Sequence, residues 1–408
     1  VAAPTVTTAA PWVPTPSRRA TTSAPRPGAP AAAPATRDRP RLVALDGLRF
    51  AAAVGVLLYH YAVRDSQAWG RPPSEVFPGL GEWLVYAALG PELFFVISGF
   101  VILMTAWGRS VPQVAASRVA RLYPAYWASV LLTGALLLWL WPDGKDVTPG
   151  QVAVNLTMLQ SLVDVGNVDG VYWTLWTELR FYALVLVLVA IGITRRRVLA
   201  FAVLWPTAAL LADAAGPPWL REVLISGYAP LFAAGMVLYV ILRDGHSRGA
   251  WWLVAANTAA SVWLVVPHQL AQQARNTAQS PSPVVLGALV VVCVALVAVV
   301  TLTPVARLRW RWLTTVGALT YPLYLLHEHW GWWVIAHVRD VVPVPVAFAL
   351  ATAFSVALAV AVHHVVERRL GPPLRSGVQR GLERLSARAG AVSRSAARRP
   401  APRAATRS

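Results

Sequence analysis

Cysteine, lysine and charge in general are scarce in this 408-residue chain. The single cysteine, Cys293, excludes an internal disulfide and any multi-cysteine metal site, and in its apolar run it reads as packing. Charged residues make up 13% and hydrophobic residues 56%, which excludes an ordinary water-soluble globular domain. Glycine-rich phosphate cradles, G-x-S-x-G nucleophile elbows and H-E-x-x-H metal helices are all absent. No apolar h-region occurs in residues 1–40, so this Ala-, Pro- and Thr-rich stretch reads as a disordered tail and not as a signal peptide. The formal net charge of +18 would suit a nucleic-acid binder. Its basic residues, however, sit in the tails and in alternate loops, a distribution that serves membrane topology and speaks against nucleic acid as a partner.

What the chain does have is long apolar runs. Ten are long enough to span a bilayer, at about 43–63, 91–107, 121–141, 172–193, 197–214, 223–242, 250–266, 284–304, 313–338 and 344–366. Threading them alternately, with the N-terminus inside, places 28 of the 36 basic residues on the inner side and six on the outer. That asymmetry predicts an all-α, polytopic transmembrane bundle of about ten helices with both termini cytoplasmic. The expected organisation is a disordered tail over 1–40, a membrane-embedded domain over 41–370, and a basic disordered tail over 371–408.

The stretch Leu42 to His60 carries ionisable groups that a mere anchor would avoid. Asp46 and Arg49 sit near its start, and His60 follows Arg49 by eleven positions of almost wholly apolar sequence. Eleven helical residues turn through about 1,100° and rise ~16 Å, so Arg49 and His60 share a face at two depths. Ionisable groups inside a bilayer cost on the order of 3 kcal/mol each and therefore face a polar interior or a pathway. Glu178 and Tyr182 share a face of the fourth run by the same reasoning. Arg118 and Arg121, one turn apart at the inner entry of the third run, are either topology-setting charge or a dock for a phosphorylated cytosolic donor. Ser98 and Gly99 offer a small surface for helix packing. His327 and His329 point to different faces of one helix, so a shared metal is not expected.

Taken in order, these pieces resemble the acyltransferase-3 family of bacterial integral-membrane acyltransferases. The matching residues are Asp46, Gly47, Arg49 and His60; Phe94 to Phe100; Arg118, Arg121, Pro124, Tyr126 and Trp127; Trp173, Glu178, Phe181 and Tyr182; and Tyr321, Tyr324 and His327. They cover residues 42 to about 370. Thr174 and Pro322 stand where serine is commoner, and the closing Glu367-Arg368-Arg369 has its proline displaced to Pro372.

The resemblance implies transfer of an acyl group from acyl-CoA, a co-substrate and not a bound cofactor, to a hydroxyl of a surface glycan, a lipid-linked sugar or a natural product. It implies a multi-pass protein of the bacterial plasma membrane. His60 would act as general base, Arg49 would position the pantetheine arm or stabilise the oxyanion, and Glu178 would orient His60 or bind acceptor hydroxyls. Arg118, Arg121, Tyr126 and Trp127 would bind the donor. Asp46, Ser98, Gly99, Trp173, Tyr182, Tyr324 and His327 are further site candidates, with Ser98 as a covalent acyl carrier a variant that lacks an evident base. A transporter or flippase for a glycan or lipid-linked substrate is the alternative use of the same buried charges. It would favour internal repeat symmetry, and none is found.

Overall fold

The structure, a computed structural model, describes residues 42–397, with side chains as far as Arg388. Residues 1–40, expected to be a disordered tail, lie outside the described residues, as do 398–408. The first five long helices are α1 (Val43–Ala62), α2 (Gly90–Ala106), α3 (Val111–Ala135), α4 (Trp173–Ala190) and α5 (Arg195–Ala215). Then follow α6 (Ala229–Asp244), α7 (Arg248–Asn276), α8 (Pro283–Leu302), α9 (Arg311–Val338) and α10 (Val344–Val362). They form the expected all-α polytopic bundle. Local sequence sets several of their starts. Ser110 and Gln113 make a reciprocal capping box at the head of α3, and the Thr194 and Ser247 side chains accept backbone N–H groups at α5 and α7.

Nine helical runs among the described residues are long and apolar enough to cross a membrane. The tenth expected span, α9, has the length at 28 residues but carries Thr320, His327, Glu328 and His329 in its buried stretch. Such a helix is tolerable in a bilayer only if other helices enclose it. α1 and α10 pack along it. At its start, Gly317 leaves room for Asp46 of α1, where a Cβ would collide with the Asp46 side chain.

A second close contact joins α2 and α6. A Cβ on Gly99 would collide with the Phe232 carbonyl, and one on Gly235 with the Val96 carbonyl. Two reciprocal glycines thus let the backbones touch, the small-residue packing that replaces hydrophobic drive between helices in lipid. This is where the structure puts Gly99, and α6 is buried from Ala229 to Ile241 as a result.

The C-terminal segment departs from expectation. Residues 371–397 are not an irregular tail: they belong to helix α11 (Arg368–Ala397), which continues α10 through a π-turn at His363–Glu367. Leu370, Leu374, Val378, Leu382 and Leu385 recur at spacings of four and three, an apolar stripe that alanine and arginine, good helix formers, support. Weighing the charge of this stretch above its period hides the helix.

The α2–α6 contact makes a prediction. Gly99→Val should lower the unfolding midpoint in detergent, at a cost of roughly 1–3 kcal/mol or more for overpacking against fixed backbone. Gly377→Ala, where nothing lies within 4 Å, should leave it unchanged or raise it slightly, alanine being the better helix former. Equal midpoints for the two variants would contradict the contact.

Candidate active site

Two cavities enter the bundle from opposite ends. The larger, about 720 Å³, opens at the end where α3 and α9 begin and is walled by α1, α2, α3, α4, α9 and α11. Its walls carry Arg49, Arg118, Arg121 and Arg375 against a single carboxylate, Glu178. Glu178 is already engaged: Ser98 Oγ donates to it at 2.7 Å and the Tyr182 hydroxyl at 2.5 Å. Asp46 lies 3.9 Å from Arg49, and the π-turn brings Glu367 to 3.7 Å from Arg121. The Arg118 guanidinium stacks 5.8 Å over the Tyr182 ring, and its buried Nε has no acceptor. Four guanidiniums, of which only Arg49 and Arg121 have a carboxylate within ion-pair distance among the described residues, leave an excess of positive charge that suits a polyanion.

The smaller cavity is a slit of only about 30 Å³ and lies at the other end, where α1 and α7 finish. It is lined by His60, Arg64, Trp173, Gln269, Gln272 and Tyr324 among others. Behind Gln269 is a buried polar chain. Tyr59 donates to Gln273 at 2.9 Å, Gln273 to Gln269 at 3.1 Å, and Gln269 to the fully buried Glu92 at 2.7 Å. Tyr324 lines both cavities, so its side chain stands in the wall between them. Its hydroxyl lies 3.0 Å from Thr174 Oγ1, which itself donates to the Val171 carbonyl, so Tyr324 is the donor of that pair.

The hydrogen bonds of His60 decide its tautomer. Nδ1 is 2.7 Å from the Val56 carbonyl, which can only accept, so Nδ1 carries the proton. The same N–H faces Nε2 of His327 at 3.2 Å. His327 Nδ1 is held by the Leu323 and Tyr324 carbonyls, which leaves its Nε2 as the acceptor. His60 Nε2 is therefore bare, at the cavity and 3.7 Å from Oε2 of Glu328. That buried carboxylate oxygen has no hydrogen-bond donor. A protonated His60 Nε2 would supply a charge beside it, which is the arrangement a general base needs.

Glu328 is flanked by Arg64 at 3.8 Å, and His329 pairs with Asp169 at 3.1 Å. Burial opposes ionisation of Asp169, but His329 beside it holds the carboxyl below the usual carboxylate range. Asp169, Glu328 and His329 each offer one ligand atom within 4.8 Å of the others, a donor set that a divalent cation accepts. Arg64 and His329 already give the two acids cationic or hydrogen-bonding neighbours there. His327, turned away towards His60, is not part of that group.

The model of one protein family, described as an acyltransferase domain, matches residues 42–364. The chain belongs to the acyltransferase-3 family. It is an acyltransferase of the O-acyltransferase type, and family membership removes the transporter alternative that the residues alone left open. No curated protein and no solved structure matches it.

The expected site residues fall into three groups in this acyltransferase. Arg49, Ser98, Arg118, Arg121, Glu178, Tyr182 and Tyr324 meet at the large cavity. His60, Trp173 and, through hydrogen bonding, His327 meet at the small one. Tyr126 and Trp127, expected among the donor-binding residues, face neither. Tyr126 donates to the Asn155 carbonyl at 2.7 Å and Trp127 to the Leu156 carbonyl at 3.0 Å, so they anchor the 142–172 connection against α3. Glu178, expected to orient His60 or to bind acceptor hydroxyls, sits with Ser98 and Tyr182 away from His60, and the carboxylate beside His60 is Glu328. Buried Asn155 explains the fold-back: its amide bonds Gln151, Gly166 and Val168 of the same connection. Gln269, Gln272 and Gln273 were open to detection as an i, i+3, i+4 amide cluster near the end of a long helix.

Tyr126→Phe should therefore loosen residues 149–168, at a cost of about 1 kcal/mol, without changing donor affinity. Faster amide exchange in that segment with an unchanged KM for donor is the expected result. A raised KM with unchanged exchange would restore Tyr126 to the donor site.

Proposed function

We propose that this acyltransferase takes an acyl group, acetyl or another short chain, from acyl-CoA in the arginine-walled cavity. It passes the group to a hydroxyl of a glycan, lipid-linked sugar or natural product that enters the opposite cavity at His60. The observation that carries the reading is the pair of cavities meeting at Tyr324, with Arg49 on one side and His60 ~16 Å further along the same helix. Positive-inside topology makes the arginine-rich end cytoplasmic, where acyl-CoA is available, in a bacterial plasma membrane. Arg118 and Arg121 take the phosphates, and Arg49, too far from His60 to act on the same oxyanion, steers the pantetheine arm.

The acceptor oxygen attacks the thioester carbonyl carbon as His60 Nε2 accepts the hydroxyl proton. The imidazolium so formed is stabilised by Glu328, while the bond to His327 holds the ring in the required tautomer. Tyr324 releases Thr174 and donates to the carbonyl oxygen as negative charge grows there. That attack forms the ester C–O bond; collapse of the tetrahedral intermediate restores the carbonyl and breaks the C–S bond. The proton on His60 then passes to the departing thiolate, leaving free CoA and neutral His60.

His60→Ala should lower CoA release and acyl transfer by about 10²–10⁴-fold while membrane insertion stays intact. Wild-type turnover in that variant, measured on purified protein with acetyl-CoA and a cell-envelope extract as acceptor, would refute the base assignment.

A further inference from the structure

The residues matched by the family model end at 364, yet the large cavity is not complete there. Its outer wall includes Gly371, Pro372, Arg375, Ser376 and Gln379 of α11. Gly371, Arg375 and Gln379 are one turn apart in succession and so form a stripe along one side of the helix. The apolar stripe of Leu374, Val378 and Leu382, partly buried, runs beside it. At Gly371 the helix comes down on α3, where a Cβ would touch the Ala120 carbonyl at 3.6 Å. That approach places Arg375 over the same opening as Arg118 and Arg121. Among the described residues, no carboxylate pairs with Arg118 or Arg375. Among the described residues, the other arginines of α11, such as Arg380 and Arg384, do not line the cavity.

We propose that α11 is part of the donor site and that Arg375 binds the phosphates of the coenzyme's nucleotide end. The proposal rests on the acyl-CoA reading above and deepens it. Three guanidiniums, two from α3 and one from α11, surround the mouth of a chamber whose inner walls are largely apolar, so the charged end of the donor stays at the mouth while its arm reaches inward. Arg121 has Glu367 at 3.7 Å, whereas the exposed Arg375 guanidinium has no ion pair among the described residues to give up on turning to a phosphate. A helix outside the family domain thereby adds affinity for the nucleotide half of the donor and none for the pantetheine half.

The test is binding of CoA and of pantetheine to the full-length purified chain in phosphatidylcholine nanodiscs, which contain no anionic lipid to compete. Wild type is compared with Arg375→Ala, Arg375→Lys and Arg384→Ala. Arg375→Ala is expected to weaken CoA roughly tenfold, Arg375→Lys less, and Arg384→Ala not at all, with pantetheine binding equal in every protein. The difference between Arg375→Ala and wild type should shrink as salt is raised. Wild-type CoA affinity in Arg375→Ala would overturn the inference and leave the donor reading standing. Equal weakening of CoA and pantetheine would make Arg375 a structural residue and overturn it too. Failure of the wild-type protein to bind CoA would overturn both.

Discussion

Burying ionisable side chains in the middle of a membrane bundle is the constraint from which the rest follows. α9 carries His327, Glu328 and His329 in consecutive positions, and α1 brings His60 against them. Neither lipid nor a single neighbouring helix can satisfy these groups. The bundle answers by enclosing α9, by pairing His329 with Asp169 and Glu328 with Arg64, and by fixing both His60 and His327 through backbone carbonyls of their own helices. One demand is left open, the bare Oε2 of Glu328 beside His60 Nε2. In the proposed mechanism, that open demand is what turns a structural cluster into a chemical one.

The same enclosure explains the division of space. α1 is long enough to hold Arg49 in one chamber and His60 in the other, and a single tyrosine on α9 stands in the wall between them. The chamber with the arginines is wide and suits a large polyanionic molecule. The chamber with His60 is narrow and walled by amides and a tryptophan, a surface on which a hydroxylated ligand finds hydrogen bonds and an apolar face.

Much of this was legible in the amino-acid order. Apolar period and the alternation of arginines locate the ten long helices, because both effects are local and additive along the chain. The phase of α1 separates Arg49 and His60 by depth for the same reason. What escaped depends on contacts between distant segments. Tyr126 and Trp127 beside two arginines look like a binding site until the Asn155 and Leu156 carbonyls arrive from a connection that folds back against α3. Glu178, the obvious intramembrane acid, and Glu328, hidden between two histidines, exchange places as neighbour of His60 only when α9 is set against α1. The α11 helix is a different matter, since its leucine stripe is present in the sequence but masked by arginines.

Transfer through the bundle, from a chamber at the arginine-rich end to a base at the other, is the central claim. Proteoliposomes in which that end of the protein faces outward test it directly. Acyl-labelled CoA would be supplied only outside, and a hydroxyl acceptor accepted by the enzyme would be enclosed only inside. The account predicts that label appears on the enclosed acceptor while free CoA accumulates outside. Product forming only when donor and acceptor share one compartment would contradict it.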